Sequence, residues 1–255
     1  MTLLSCTGVQ AGFGANLVLR GVDLDVEAGS CVGLFGLNGA GKSVTMKVIG
    51  GLVPARAGTV VLDGEDLVKL SPEERVRRGM VLAPQGRQLF PRMTVENNLR
   101  LGGYLLRRKD KARYADLLAD LYDRFPRLRE RRLQLAGSLS GGEQAMVTIA
   151  RSLLCEPRLL LIDEPSAGLS PAAMDEVLQM LQQLRAEGLT MLMVEQNITF
   201  GFRLVDRAAI MQRGKIVYEG AVADLDTAKV AGLLGIGRLL GAHLERAVGT
   251  SRPGT

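Results

Sequence analysis

Between residues 31 and 212, short unbroken apolar runs alternate with longer stretches in which apolar side chains return every three or four positions. The runs are CVGLF (31–35), MVLA (80–83), LLLI (159–162), MLMV (191–194) and AAIM (208–211). They lack the in-out alternation of half-exposed strands, so they predict central parallel strands covered on both faces, and hence an α/β sheet. From Pro171 to Glu187, Met174, Val177, Leu178, Leu181 and Leu184 share one helical face, with Ser170 placed as N-cap and Gly188 just past the end. That is the pattern of a crossover helix.

Two regions depart from this alternation. Residues 92–137 are charged, leucine-rich and helical in spacing, without strand candidates, and read as a helical insertion. The first thirty residues, AGTVVLDG and KIVYEG have β character and turn glycines, predicting a small antiparallel element beside the parallel sheet. The expected organisation is a nucleotide-binding core over 1–91, a helical subdomain over 92–137, the core continued over 138–225, and a helical tail over 226–255. Along that tail Val230, Leu233, Leu234, Gly237, Leu240, Gly241 and Leu244 recur at helical spacing, predicting a helix that docks on its own core or on a partner.

Composition narrows the functional classes. With 255 residues, 47% of them hydrophobic, the chain can bury a substantial core. Three cysteines at unrelated spacings and a single histidine, His243, argue against a disulfide framework or a zinc site. No run reaches the roughly 18 apolar residues of a membrane span, and the N-terminus lacks signal-peptide character. The net charge of +5 suits nucleic acid, an anionic membrane surface or merely a basic surface; much of the positive charge lies in RVRRG (75–79), RRKDKAR (107–113) and RLRERR (127–132), with few aromatics to stack on bases, which favours solvated helix faces.

Three motifs carry chemistry. GLNGAGKS, Gly36 to Ser43, fits G-x-x-x-x-G-K-[ST] and lies between a strand and a helix candidate. Its glycines let backbone N–H groups turn around a phosphate, Lys42 reaches the β- and γ-phosphates, and Ser43 ligates magnesium. LLLIDEP (159–165) is an apolar strand ending in two carboxylates: Asp163 for the magnesium shell, and Glu164, turned the other way by strand alternation, to polarise an attacking water. LSGGEQ (139–144) reads as a capping box, Ser140 with Glu143, whose paired glycines suit a phosphate approaching the helix N-terminus.

Together these segments resemble the ATP-binding cassette (ABC) transport ATPases. GLNGAGKS stands as Walker A, Gln85 in LAPQGR as the Q-loop, LSGGEQ as the signature, LLLIDEP as Walker B and SAGLSP as the D-loop, over about residues 3–225. The resemblance implies a P-loop α/β fold with ATP and Mg2+ as cofactors, and two subunits head to tail. It places Phe13 on adenine, Gly36, Asn38, Gly39, Ala40, Gly41, Lys42, Ser43 and Val44 around the nucleotide, and Ser43, Gln85 and Asp163 around the metal. Ser140 and Gly142 would act on ATP held by the partner's Walker A.

A narrower resemblance lies in VLAPQGRQLFPRMTVENNLRLGGY (81–104) and VEQN (194–197), which look like the second ATPase subunit of branched-chain amino-acid importers. The stretch TMLMVEQNITF (190–200) ends an apolar run in Glu195, Gln196 and Asn197. Most relatives carry histidine at the place of Gln196, so Gln196 joins Glu164 and Gln85 as an expected catalytic residue. The implied partners are a paralogous ABC ATPase, two membrane permeases and a periplasmic or extracellular substrate-binding protein, at the cytoplasmic face of the membrane, with no specific nucleic acid. Leu89, Phe90 and Pro91 would line the groove for the permeases. An exporter ATPase for lipid or polysaccharide shares every catalytic motif and stays open, whereas a soluble DNA-repair or translation ATPase needs a long coiled coil or a second cassette, and the interval from Gln85 to Ser140 has room for neither.

Overall fold

The five apolar runs form neighbouring parallel strands of one six-stranded sheet, with MVLA at its edge and not at its centre. In the computed structural model, which describes residues 1–86 and 88–234, they are β3 (Cys31–Phe35), β6 (Met80–Ala83), β7 (Leu159–Asp163), β8 (Thr190–Glu195) and β9 (Arg207–Gln212). The spatial order is β10-β9-β3-β8-β7-β6, with all neighbours parallel except β10 (Lys215–Ala221), which pairs antiparallel with β9. KIVYEG therefore closes an edge of the main sheet instead of joining the separate antiparallel element. That element is a four-stranded sheet, β2-β1-β4-β5, made of β1 (Thr2–Phe13), β2 (Asn16–Glu27), β4 (Ala57–Leu62) and β5 (Glu65–Asp66).

Strand alternation divides each apolar run between two cores. Val32 and Leu34, Leu159 and Leu161, and Leu192 and Val194 point into the space between the sheets, which the helix α1 (Lys42–Ile49) also fills. Phe35, Leu160, Ile162, Met191 and Met193 point to the opposite face, against the helices α7 (Gly141–Leu153) and α8 (Pro171–Ala186). Each fully buried side chain of this size contributes about 1.5–3 kcal/mol. Continuous runs are thus what a sheet with two cores requires. Helix α8 begins as its sequence predicts, with Ser170 accepting from the Ala173 N–H.

The stretch from 92 to 137 holds four helices: α3 (Val95–Gly102), α4 (Tyr104–Lys109), α5 (Lys111–Arg124) and α6 (Pro126–Glu130). Its ends are stitched together, since Val95 donates to the Gln134 carbonyl at 3.0 Å and Ala136 to that of Met93 at 2.9 Å. The basic segment RVRRG, within and after the helix α2 (Pro72–Arg77), is not a uniformly solvated face. Arg75 is 4% exposed and donates to the carbonyls of Val48 (2.8 Å), Ile49 (2.6 Å) and Leu67 (2.6 Å), so it caps the C-terminal end of α1. The tail opens with α10 (Thr227–Leu234), where Val230 and Leu234 are buried in the chain's own core and Gln212 bonds the Leu233 carbonyl. The predicted tail positions Gly237, Leu240, Gly241 and Leu244, like His243, lie outside the described residues. Among those described, no helix is long and apolar enough to cross a membrane.

Candidate functional site

The loop between β3 and α1 is built on glycines that other residues could not replace. At Gly36 a Cβ atom would lie 2.4 Å from the Met211 carbonyl oxygen, and Gly41 has φ +113°. Ala40 is buried beside them, its carbonyl accepting from Gly214, whereas Asn38 and Gly39 are exposed and Val44 packs on the inter-sheet core. Lys42, only 4% exposed, turns its ammonium onto the loop, donating to the Gly36 carbonyl at 2.8 Å and that of Leu37 at 3.1 Å. Burial lowers its pKa, against the pull of Glu164, Asp163 and Glu195. A buried cation held only by carbonyl oxygens suits an arriving anion.

Ser43, one residue on, donates to Asp163 Oδ1 at 3.3 Å. Burial raises the Asp163 carboxyl, as does neighbouring Glu164, while the bond from Ser43 opposes this. No group of three or more His, Cys, Asp or Glu side chains able to hold a metal exists among the described residues. The Asp163 carboxylate and Ser43 hydroxyl, with the Gln85 amide as a further oxygen donor, nevertheless fit a magnesium ion that would take its remaining ligands from phosphate and water.

Glu164 is not placed by strand alternation. Strand β7 stops at Asp163, and Glu164 adopts a left-handed backbone, φ +50°, pinned by its N–H to the Val194 carbonyl at 2.9 Å. Such a conformation costs about 1–3 kcal/mol for a non-glycine residue and concentrates at functional sites. Two amides then grip the carboxylate: Gln85 Nε2 donates to Oε2 at 2.6 Å and Gln196 Nε2 to Oε1 at 2.5 Å. The structure thus brings together three positions that lie 79 and 32 residues apart. A cavity of about 410 Å3, lined by Gln85, Asp163, Glu164 and the α7 residues Gln144 and Thr148, opens beside them. A second, of about 400 Å3, lies against residues 37–40, with Arg213 and Leu234 on its other walls, so α10 reaches the loop.

Glu195 is the residue that sequence reasoning passed over. It is 1% exposed, and its carboxylate accepts from the backbone N–H groups of Ser166 (2.9 Å), Gln196 (2.9 Å) and Asn197 (3.0 Å). Burial pushes its carboxyl up, against the bonds from Ser166, Asn197 and Gln196. One side chain therefore ties the loop after β7 to the loop after β8. Gln in its place keeps the shape but sets an NH2 against backbone donors, leaving at least one buried N–H unpaired at about 1–3 kcal/mol. Glu195→Gln is expected to lower ATP turnover about tenfold with a smaller change in ATP affinity, in steady-state assays and equilibrium binding. An unchanged rate would remove Glu195 from the positioning of Gln196.

Ser140 and Gly142 are not assembled with the other predicted residues within one chain. Ser140 caps α7 in a reciprocal box with Glu143, whose carboxylate also takes bonds from Arg131 (3.2 Å) and Arg127 (3.4 Å). Burial acts to raise the Glu143 carboxyl, but the bonds from Ser140, Arg131 and Arg127 hold it below the usual value. Gly142 has a packing reason of its own, since a Cβ there would come 2.9 Å from the Ala173 Cβ. Phe13 ends β1 with 56% of its surface exposed, free to receive a flat ring.

Comparison with known proteins agrees with this geometry. The family model described as ABC transporter matches residues 19–167, more than half of the chain. The high-affinity branched-chain amino acid transport ATP-binding protein BraG of Pseudomonas aeruginosa is 40% identical over 225 residues, 88% of this chain and 95% of that protein. The lipopolysaccharide export system ATP-binding protein LptB of Escherichia coli K12 is 31% identical, with 88% and 93% covered. The crystal structure of the ADP conformation of an ATP-binding cassette of an ABC transporter superposes with a TM-score of 0.79 at 28% identity, over 87% of this chain and 91% of that one. A buried lysine in a glycine loop, a carboxylate gripped by two amides and these likenesses converge on one assignment: the chain belongs to the ABC transporter family, as an ATP-binding, ATP-hydrolysing subunit.

Proposed function

We propose that this chain is the motor subunit of an importer for branched-chain or related amino acids, closing on ATP and reopening after its hydrolysis. Glu164 is the general base, and Gln85 and Gln196 fix its orientation. Lys42 binds the β- and γ-phosphates, and Ser43, Asp163 and Gln85 hold Mg2+. The metal, when bound, neutralises phosphate charge during transfer. Phe13 stacks on adenine, and Ser140 and Gly142 complete the site of a partner ATPase. The observation that carries the mechanism is the double amide grip on Glu164.

Import, in preference to export, is supported by the higher identity to BraG, 40%, than to LptB, 31%. The export system remains the second reading, since LptB matches as much of the chain. Two permeases are the expected membrane partners. Phe90 is exposed and Leu89 half-buried between core and helical segment, an apolar step with a partner to cover it. Affinity purification from native membranes tests this assignment. Co-purification of two permeases and a second ATPase is expected, and a lipid- or polysaccharide-export complex would favour the other reading.

A glutamine at position 196 makes the complex asymmetric. It offers the γ-phosphate a neutral N–H donor, where the histidine that most relatives carry there can titrate near neutral pH and add a positive charge of its own. If the paralogous partner keeps the histidine that most relatives carry at this place, Gln196→Ala in the mixed complex is expected to cost less turnover than alanine at that histidine. Equal losses in ATPase assays would mean two equivalent sites.

A further inference from the structure

Two polar side chains outside the nucleotide site serve the loop that carries Gln85. The described residues from Pro84 to Thr94, between β6 and α3, form neither helix nor strand. Their backbone turns left-handed at Gly86, φ +77°, and again at Gln88, φ +39°. A non-glycine residue rarely enters that region and persists there only where its surroundings fix it. Left unanchored, such a segment would spread Gln85 over many positions, because every loose residue keeps its own conformational entropy.

Asn98 on α3 supplies the first anchor. Its side chain is 0% exposed and is committed to this loop alone: Oδ1 accepts from the Phe90 N–H at 2.9 Å, and Nδ2 donates to the carbonyls of Thr94 (3.0 Å) and Phe90 (3.1 Å), with that of Met93 at 3.4 Å. Arg151 on α7 supplies the second. It donates to the Gln88 carbonyl at 2.9 Å, and no carboxylate pairs with it among the described residues. Gln88 in turn reaches back along the loop, its N–H donating to the Gly86 carbonyl at 2.7 Å and its Nε2 to that of Gln85 at 3.4 Å. Contacts therefore run from Arg151 through Gln88 to Gln85, whose amide holds Glu164 at 2.6 Å. The anchors are also fixed to each other. Gly102 lies one turn beyond Asn98 on α3, and a Cβ there would come 2.0 Å from the Arg151 carbonyl oxygen, so glycine is what lets α3 sit this close to α7.

We propose, on the reading that Gln85 orients the base Glu164, that Asn98 and Arg151 are positioning residues for ATP hydrolysis: they hold the loop from Gln88 to Thr94 and so aim the Gln85 amide at the Glu164 carboxylate. Neither residue lines the cavity at Glu164 or the one at residues 37–40, so each acts through the loop and not on the nucleotide. Lys42 and Phe13 stand outside this loop, which places the effect on turnover and leaves ATP affinity largely intact.

A double-mutant cycle on the full chain tests this, with kcat and KM for ATP measured beside the melting temperature. Gln85→Ala sets the loss caused by a missing amide. Arg151→Met, which keeps an apolar stem but no donor, is expected to lower kcat about tenfold, with KM changed by less than about twofold. Arg151→Lys restores a donor and should recover most of that loss. In Gln85→Ala/Arg151→Met, kcat should fall less than about twofold below that of Gln85→Ala alone, because no amide is left to aim. Asn98→Asp, which keeps Oδ1 for Phe90 and loses the donors, is expected to follow the same pattern; Arg151→Met, at a half-buried position, carries the test if that variant does not fold. A merely structural role predicts losses that multiply. Multiplying losses in the double variant, or wild-type kcat in Arg151→Met, overturn the proposal and leave Gln85 its role. Wild-type kcat in Gln85→Ala would instead remove the role of Gln85, and the proposal with it.

Discussion

Glu164→Gln is expected to lower ATP turnover at this subunit's site by about 100-fold or more while ATP binding persists. Glutamine has nearly the shape of glutamate, so the left-handed turn at φ +50° and the bond to Val194 can be retained. What changes is chemistry. The carboxylate accepts from Gln85 on one oxygen and from Gln196 on the other; an amide can accept from only one of them and sets its NH2 against the second. It also has no basic oxygen with which to draw a proton from water. A factor of 100 corresponds to about 2.7 kcal/mol in the barrier. Single-turnover assays beside equilibrium ATP binding separate the two effects, and hydrolysis at the wild-type rate would strip Glu164 of its role as base.

Arg75→Met should cause the largest loss of stability, about 3 kcal/mol or more. The guanidinium donates to the last-turn carbonyls of α1 and to Leu67, and also to Leu70 at 3.2 Å. Methionine fills similar volume but leaves those buried carbonyls without donors, at about 1–3 kcal/mol for each one that water cannot reach. Burial lowers the pKa of Arg75, yet no carboxylate pairs with it among the described residues, so carbonyl dipoles at the helix C-terminus hold the charge. Because α1 starts at Lys42, loosening its far end should also weaken ATP binding. Urea unfolding monitored by circular dichroism checks the first effect, and a loss below about 1 kcal/mol would show the capping to be dispensable.

The sheet was legible because its strands have cores on both sides and must be apolar at every position. Which strand pairs with which was less so: KIVYEG has strand character, but nothing local says that its partner is β9. The glycine loop between β3 and α1 was readable from GLNGAGKS, since glycine spacing and a following lysine are local features. Glu164 was read as the next residue of a strand, because no sequence signal marks a non-glycine residue in a left-handed turn. Arg75 looked like one more member of a basic cluster, since burial of a charge is decided by carbonyls 26 and 27 residues away. Glu195 stood in plain view between a strand and a loop. Its three backbone donors come from two loops, one of them 29 residues back at Ser166, and only the fold joins them.

In the proposed function, ATP hydrolysis at this site drives the inward movement of branched-chain amino acids, with Glu164 as base. Its most direct test is uptake of labelled leucine into proteoliposomes holding the complex purified through this chain, with ATP supplied to its ATPase side and the substrate-binding protein opposite. ATP-dependent accumulation toward the ATPase side is expected with wild type, and little above background with Glu164→Gln. Accumulation unchanged by Glu164→Gln, or a complex that moves only lipid or polysaccharide toward the side opposite the ATPases, would contradict it.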